Sequence, residues 1–332
     1  MGPLLTIALR GIGVVLYLTG LYRIVLWLGR RSPKVVAYHA CLEREDAFVA
    51  GLGINTPPGA VARQLDWASR HYHIVPLTGL LDTVVPERSL AVTFDDGYRS
   101  VYENAFPLLR ARRVPATLFL VPAVVGNEAL VWVNELAWML HERPDVAGPI
   151  AARRLCGRAD AGAEAIMAAA IFDYDAGAIG ATLTEARGAL ELDPAALARS
   201  ARPYVTWEQV AEMAQHGVTV GNHTATHPNL ARLGAAAQRA DIAAAHRDLA
   251  TRPGFVPAVA YPFGLADAAV RDAAAAEGYR LLCALGGSNR PLDPGRLARV
   301  PIATASIAVF FADVEVVTPV KAWLKRLLGQ DS

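Results

Sequence analysis

The chain has 332 residues, of which 53% are hydrophobic and 19% are charged. This length suits one large α/β barrel or two average domains, and the apolar share can bury a large core, which excludes wholesale disorder. The formal net charge is +1, so the composition shows no sign of nucleic-acid binding. The three cysteines form no CxxC pair, and their odd number argues against a disulfide framework.

The first 31 residues predict an apolar helix that is separate from the domain. Residues 4–28 are mostly apolar, but Arg10 and Arg23 interrupt them. The uninterrupted stretch, residues 11–22, is too short to cross a bilayer core of ~30 Å. We expect a membrane-surface helix; the alternative is a helix packed on the domain. If the helix spans, the basic residues after it would keep the domain on the cytoplasmic side, and a periplasmic or extracellular location is the alternative.

From residue 32 to 332 the sequence predicts one α/β domain. Seven short apolar runs indicate strands, at residues 35–39, 90–94, 116–121, 218–222, 259–261, 281–284 and 297–302. Helical patterns lie between most of them, for example at residues 102–112, 207–216 and 266–277, and Thr206 is placed to cap the second of these. This alternation predicts a mostly parallel sheet, either open or closed into a barrel.

Residues 127–203 break the alternation. They are rich in alanine and helical in pattern, with loop signals at Arg143-Pro144 and Asp193-Pro194. We interpret them as a helical insertion after the third strand and not as a separate domain.

The motif TFDDGY, at residues 93–98, places Asp95 and Asp96 at the end of an apolar run. Burying an unpaired carboxylate there would cost several kcal/mol. Adjacent acids at a strand end therefore indicate a metal site or a shifted pKa that catalysis uses. The alternative is an ordinary Asp-Asp-Gly turn.

The motif HTATHPNL, at residues 223–230, follows another apolar run. If a helical turn begins after the strand, the spacing of His223 and His227 puts both imidazoles on one face. Zinc commonly takes two histidines and one carboxylate. The histidine pair alone is a weak signal, but together with the acidic motif it predicts a metal site.

These motifs resemble those of the NodB-homology polysaccharide deacetylases. TWEQVAEMAQHGVTVGNHT, at residues 206–224, is similar to the family's approach to its histidine motif, and YPFG, at residues 261–264, is similar to its third motif. The similarity runs over about residues 35–302. It implies a distorted (β/α) barrel of about seven parallel strands. It also implies metal-dependent hydrolysis of the N-acetyl group of an amino sugar in a polysaccharide or glycolipid.

The resemblance also implies a role for individual residues. Asp95 is expected to be the general base toward a metal-activated water. The third motif supplies the substrate and oxyanion contacts, Tyr261 and the backbone N–H of Phe263. The expected metal ligands are Asp96, His223 and His227. The cofactor is then a divalent metal ion, with Zn²⁺ the default and cobalt, nickel or iron also compatible with these ligands.

The sequence departs from the family pattern in two places. Ala260 stands where many relatives have an arginine that orients the base, and no histidine follows His246 to protonate the leaving amine. We expect His39, in an early Tyr-His pair as in the poly-N-acetylglucosamine deacetylases, to be the general acid. Arg299 is the candidate for the missing arginine. The alternatives are a structural histidine and a surface ion pair.

Three functional hypotheses therefore remain. The chain is a deacetylase of an N-acetylated glycan or a lipid-linked amino sugar, a glycan-binding module that kept the metal but lost catalysis, or a related hydrolase of a non-sugar amide. Trp132 and Trp138 lie at helical spacing, which favours core packing over sugar stacking.

Overall fold

Seven parallel strands close into a barrel in the computed structural model, which describes residues 2–158 and 160–328. The barrel order is β1-β3-β4-β5-β6-β7-β8, and β8 pairs again with β1. A two-residue strand, β2, pairs with the outer edge of β3. The strands are β1 Lys34–Tyr38, β2 His73–Ile74, β3 Ser89–Phe94, β4 Ala116–Leu120, β5 Val218–Asn222, β6 Phe255–Ala260, β7 Leu281–Leu285 and β8 Leu297–Pro301.

Helices surround this barrel on the outside. They are α1 Pro3–Leu18, α2 Tyr22–Gly29, α3 Pro58–His71, α4 Phe106–Arg112, α5 Trp132–Glu142, α6 Pro144–Cys156, α7 Ala163–Phe172, α8 Ala176–Leu190, α9 Pro194–Ala201, α10 Trp207–Gln215, α11 Ala235–Leu249, α12 Ala268–Ala276, α13 Ile307–Ala312 and α14 Thr318–Leu327. π-Helical segments, Val101–Ala105 and Asp313–Val317, lead into α4 and α14.

The predicted barrel is confirmed, and each of the seven predicted runs is a strand. The largest difference is in β6, which begins at Phe255 and not at residue 259. Its first half is only partly buried and contains Pro257, and a proline within an apolar run argues against a strand. The short β2 was not predicted, since two residues carry no periodicity. The predicted cap is also present: the Thr206 side chain accepts from the Gln209 backbone N–H in a capping box.

The barrel interior is apolar at its lower end and polar at its mouth. A compact cluster of buried side chains from the strands includes Val35, Ala91, Phe119 and Leu281. A much larger apolar cluster fills the space between the strands and the surrounding helices. Because the carboxyl ends of parallel strands meet at one end of a barrel, the polar residues that follow them converge there.

Five helices, α5 to α9, lie between β4 and α10. The two ends of this segment are tied together by Asn127, whose side chain accepts from the Tyr204 N–H at 2.8 Å and donates to the Tyr204 carbonyl at 2.9 Å. Tyr204 then extends inward, and its hydroxyl donates to Asn134 Oδ1 at 2.8 Å. The segment therefore begins and ends at one place on the barrel, and we call the paired Asn127 and Tyr204 its closed neck.

The apolar N-terminus forms two helices, because Gly20 adopts a left-handed φ of 79° between them. One side of α1 packs on the domain. Arg10 makes a two-pronged ion pair with Asp313, at 2.7 and 3.0 Å, and Gly13 lies directly against Ala312. Among the described residues no single helix is long and apolar enough to cross a membrane, although α1 and α2 together are, with a 111° bend between them.

A pair of glycine substitutions tests the docking of α1. A Cβ at Gly13 would lie 2.4 Å from the Ala312 Cβ, whereas a Cβ at Gly11 meets nothing within 4 Å. Both changes raise helix propensity by up to about 1 kcal/mol. We expect Gly11→Ala to be neutral or stabilising, and Gly13→Ala to lower the free energy of unfolding by about 1–3 kcal/mol through overpacking. Urea titration of the full chain measures both; equal effects of the two changes would show that α1 is not packed on the domain.

Candidate active site

The acidic motif turns sharply as it leaves β3. The Asp95 N–H donates to the Tyr38 carbonyl at 2.9 Å, which continues the β1–β3 ladder by one residue. The next two residues, Asp96 and Gly97, take left-handed φ values of 68° and 74°. Glycine is favoured at position 97, because it adopts this φ without strain and because a Cβ there would displace Leu120 Cδ2, which would lie 2.6 Å away. The turn separates the two carboxylates, so that each meets different partners.

The histidine motif is a loop and not a helix, so the predicted helical face for His223 and His227 is wrong. The imidazoles converge because Thr224 and His227 both take left-handed φ values, 69° and 55°. The Thr224 hydroxyl accepts from the His227 N–H at 3.2 Å. Asp241 on α11 accepts from the Ala225 N–H at 2.7 Å and also from the hydroxyl of Thr226. Asp241 was missed by the sequence analysis, since a lone acid in a helix carries no signal.

Asp96, His223 and His227 lie together at the barrel mouth, with one potential ligand atom of each within 4.8 Å of the others. All three side chains are buried. Asp96 Oδ1 is 3.3 Å from His223 Nε2 and 3.2 Å from His227 Nε2. This spacing suits three ligands that share one ion.

The hydrogen bonds around this group fit a bound cation. His223 Nδ1 donates to the Ala260 carbonyl at 2.8 Å, which leaves the Nε2 lone pair facing Asp96. Asp96 Oδ1 has no hydrogen-bond partner among the described residues. Lone pairs that face one another in a buried place need a positive charge between them.

Asp95 is held by an arginine from the opposite end of the sequence. Arg299 on β8 donates from Nη1 to Asp95 Oδ1 at 2.7 Å and from Nη2 to Oδ2 at 2.9 Å. It also donates to the Thr93 hydroxyl at 3.3 Å. The Arg299 side chain is 0% exposed, so the alternative of a surface ion pair is wrong. Burial alone would raise the pKa of Asp95, but Arg299, His223 and His39 together hold that pKa below its usual value.

His39 lies next to the same carboxylate. It follows β1 directly, and its Nε2 is 3.7 Å from Asp95 Oδ2. The His39 side chain is 16% exposed, which makes it the most accessible of these groups. Burial lowers the pKa of His39, although the Asp95 and Asp96 charges oppose that shift. The structure thus places His39, Asp95 and Arg299 side by side, at the edge of the ligand group.

The third motif contributes its Phe263 turn to the site. Phe263 has a left-handed φ of 58°, and its ring lies edge-on to the His227 ring with centroids 4.8 Å apart. The Gly264 N–H donates to the Tyr261 carbonyl and the Leu265 N–H donates to the Pro262 carbonyl. The Phe263 N–H is a donor in neither of these two hydrogen bonds. Trp132 adjoins this turn: its indole N–H donates to the His227 carbonyl at 2.8 Å, and its ring is 5.9 Å from Phe263. The half-buried Trp132 is therefore a wall of the site and not only a core residue.

The structure does not bring the Tyr261 side chain to this group. Tyr261 is buried on the outer side of the barrel, in an apolar cluster with Val270 and Leu282. Burial raises the pKa of its hydroxyl, and that hydroxyl has no hydrogen-bond partner in the described part of the chain. The expected substrate contact of Tyr261 remains a prediction that this geometry does not favour.

Comparisons with family models, with known relatives and with solved structures all find deacetylases. A family model described as polysaccharide deacetylase matches residues 82–282. Over 43 residues the chain is 44% identical to a poly-beta-1,6-N-acetyl-D-glucosamine N-deacetylase of Staphylococcus aureus, and over 42 residues it is 43% identical to one of Staphylococcus epidermidis. These segments are 13% of this chain and span only 15% and 14% of the two relatives.

Solved structures match over most of the chain. IcaB from Ammonifex degensii has a TM-score of 0.53 at 19% identity, and the match covers 86% of this chain and 98% of that one. The Streptococcus pyogenes deacetylase PplD in complex with acetate has a TM-score of 0.51 at 16% identity, with coverage of 82% and 92%. At these identities the structural likeness establishes the fold. With the family model matching well over half of its length, the chain belongs to the polysaccharide deacetylase family.

Proposed function

We propose that this chain is a metal-dependent deacetylase that hydrolyses the N-acetyl groups of an N-acetylglucosamine polymer. One observation carries the proposal. The carboxylate of Asp95, which accepts two hydrogen bonds from the buried Arg299, lies directly beside the group of three potential metal ligands at the mouth of the barrel. The relatives whose names specify poly-beta-1,6-N-acetyl-D-glucosamine support the choice of substrate. A lipid-linked amino sugar is the alternative substrate from the same chemical class.

The proposed cofactor is a divalent cation, with Zn²⁺ the first choice for two imidazoles and a carboxylate. Asp96, His223 and His227 would hold it. When bound, such an ion lowers the pKa of a water molecule and polarises the acetyl carbonyl.

Asp95 is proposed as the general base. Both of its oxygens accept hydrogen bonds from Arg299, which fixes the carboxylate plane and keeps the side chain ionised. Each carboxylate oxygen has two lone pairs, so an ionised Asp95 can still accept a proton from water. Arg299 is proposed as the residue that positions the base, in place of the arginine that the third motif lacks at Ala260.

His39 is proposed as the general acid. When water adds to the acetyl carbon and the C–N bond breaks, the nitrogen must gain a proton to leave as an amine. Asp95 takes a proton from that water and passes it to Nε2 of His39, which is 3.7 Å from its Oδ2. Because the pKa of His39 is lowered, its imidazolium is a stronger acid once formed and readily releases the proton to the amine. Acetate and a free amino sugar are the products.

The backbone N–H of Phe263 is proposed as the donor to the oxyanion. The left-handed turn at Phe263 is adjacent to the ligand His227, where the carbonyl oxygen of the acetyl group would develop its negative charge. A preorganised N–H at that point stabilises the tetrahedral intermediate.

Acetate release from N-acetylglucosamine oligomers, with and without a chelator, tests the proposed reaction. We expect release that the chelator abolishes and added Zn²⁺ restores. Binding of the oligomers without any release would instead support a glycan-binding module. Release from simple N-acetylated amines at an equal rate would support a non-sugar amide hydrolase.

The metal ligands can be tested without an activity assay. His223→Ala and His227→Ala should each remove bound metal, because two remaining ligands hold an ion too weakly. Elemental analysis of the purified protein measures this. His141→Ala, a change at an exposed histidine, is the matched control and should keep the metal. Full metal retention in both site variants would rule out the proposed ligand set.

The base is tested by Asp95→Asn. The amide oxygen still accepts one hydrogen bond from Arg299 but takes no proton from water, so kcat should fall by about 100-fold or more. Metal content should stay at the level of the unchanged chain. A kcat near that of the unchanged chain would assign Asp95 a structural role only.

The acid is tested by its dependence on the leaving group. His39→Ala should slow hydrolysis of the N-acetyl sugar by about 100-fold, while an activated acetyl ester should lose much less, since its leaving group needs no proton. Bound metal should be unchanged. Equal losses with both substrates would show that His39 positions the site instead, and no loss with either would leave another group as the acid.

A further inference from the structure

The exposed apolar side chains of this protein are concentrated at its two ends. The described residues leave fourteen large hydrophobic side chains exposed, and all but Val84 and Phe172 belong to α1, α2, the turn between them or the end of α14. We call these residues the apolar face. They are Leu4, Ile7, Ile12, Val15, Leu18, Leu21, Ile24, Trp27, Leu28, Trp323, Leu327 and Leu328.

Both sides of α1 carry apolar residues, but only one side packs on the domain. The inner side packs on the domain through Leu9 and Gly13. The outer side is also apolar, and Leu4 and Leu18 are 81% and 74% exposed. A helix on the surface of a soluble domain normally presents charged and polar residues outward. A second partner is therefore expected on the outer side.

The two ends of the chain lie close together. Lys321 on α14 donates a hydrogen bond to the Thr6 hydroxyl on α1. This contact places the start of α1 beside α14, where Trp323 is 58% exposed. The turn at Gly20 then leads from α1 into α2, where Trp27 is 54% exposed. Tryptophan at the rim of an apolar surface is typical of a membrane–water interface.

The charge of these segments matches an anionic surface. Residues 1–33 contain four arginines and no acidic residue, and residues 318–328 contain two lysines, one arginine and no acidic residue. The whole chain is almost neutral, with 32 basic and 31 acidic side chains, so the rest of it is net acidic. Arg30 and Arg31 both contact Glu87, and Arg10 is paired with Asp313; Arg23 on α2 is exposed.

We propose that the apolar face lies on the surface of an anionic phospholipid bilayer, with α1, α2 and α14 in the interface. Apolar side chains would enter the acyl boundary, and Arg23 and Lys325, which are exposed, would meet lipid phosphates. A spanning orientation fits less well. The 16 residues of α1 reach only ~24 Å, α2 leaves at 111°, and the Arg10–Asp313 pair holds α1 against the domain.

Vesicle flotation of the full chain tests this proposal. We expect binding to vesicles of phosphatidylglycerol and phosphatidylcholine, and at least tenfold weaker binding to phosphatidylcholine alone. The triple variant Ile7→Gln, Val15→Gln, Leu18→Gln changes only exposed positions of α1 and should weaken binding at least tenfold. The double variant Trp323→Gln, Leu327→Gln should also weaken it, and unchanged binding of this variant would exclude α14 from the interface. Circular dichroism and Tm should stay near those of the unchanged chain.

The double variant Val84→Gln, Phe172→Gln is the matched control, since it removes the two exposed hydrophobic residues outside the apolar face and should bind as the unchanged chain does. Three results would overturn the proposal. They are no binding to anionic vesicles, retention on the vesicles after an alkaline carbonate wash, which indicates spanning, and a concentration-dependent dimer in sedimentation that the α1 variant abolishes. Acetate release is not a readout here, so the outcome is independent of the proposed reaction.

Discussion

The arrangement of the site depends on one buried ion pair, between Asp95 and Arg299. The two residues come from strands that do not pair with each other, since β1 separates β3 from β8 in the barrel. Their double hydrogen bond therefore spans β1 on the inner side of the barrel and depends on the pairing of β1 with both β3 and β8. Removing one partner of such a pair typically costs about 3–5 kcal/mol, because the other charge stays buried. The orientation of the Asp95 carboxylate therefore depends on closure of the barrel between β8 and β1.

The proposed metal ligands are positioned by left-handed residues in loops more than by a helix or a strand. Asp96, Thr224 and His227 all take left-handed φ values, which non-glycine residues adopt at a cost of about 1–2 kcal/mol. Surrounding hydrogen bonds offset this strain, for example from the Ala225 N–H to Asp241. The ligand loop is rigid because several independent contacts hold it.

Much of this protein could be predicted from its sequence. The strands alternate with helices clearly enough to give the barrel, and the two short motifs identify the ligand group. The missing parts depend on contacts across the fold. That Arg299 faces inward could not be known before the barrel was closed, because its neighbours in the sequence give no direction. The helical face predicted for the histidines was wrong because spacing alone does not distinguish a helix from a loop with two left-handed residues. Trp132 looked like a core residue because its partner, the His227 carbonyl, is 95 residues away.

The closed neck at Asn127 and Tyr204 has a consequence for how this family can diversify. The five-helix segment begins and ends at one place on the barrel, as a short loop would, because Asn127 and Tyr204 are hydrogen-bonded to each other. Changes in the length or number of those helices would leave the strand register undisturbed, provided that they kept the contacts to the histidine loop, such as the hydrogen bond from Asn229 to the Ile171 carbonyl at 2.8 Å. Yet the same segment supplies Trp132 as a wall of the site. The segment can thus change the shape of one wall of the site while His39, Asp95 and Asp96, which follow β1 and β3, keep their positions.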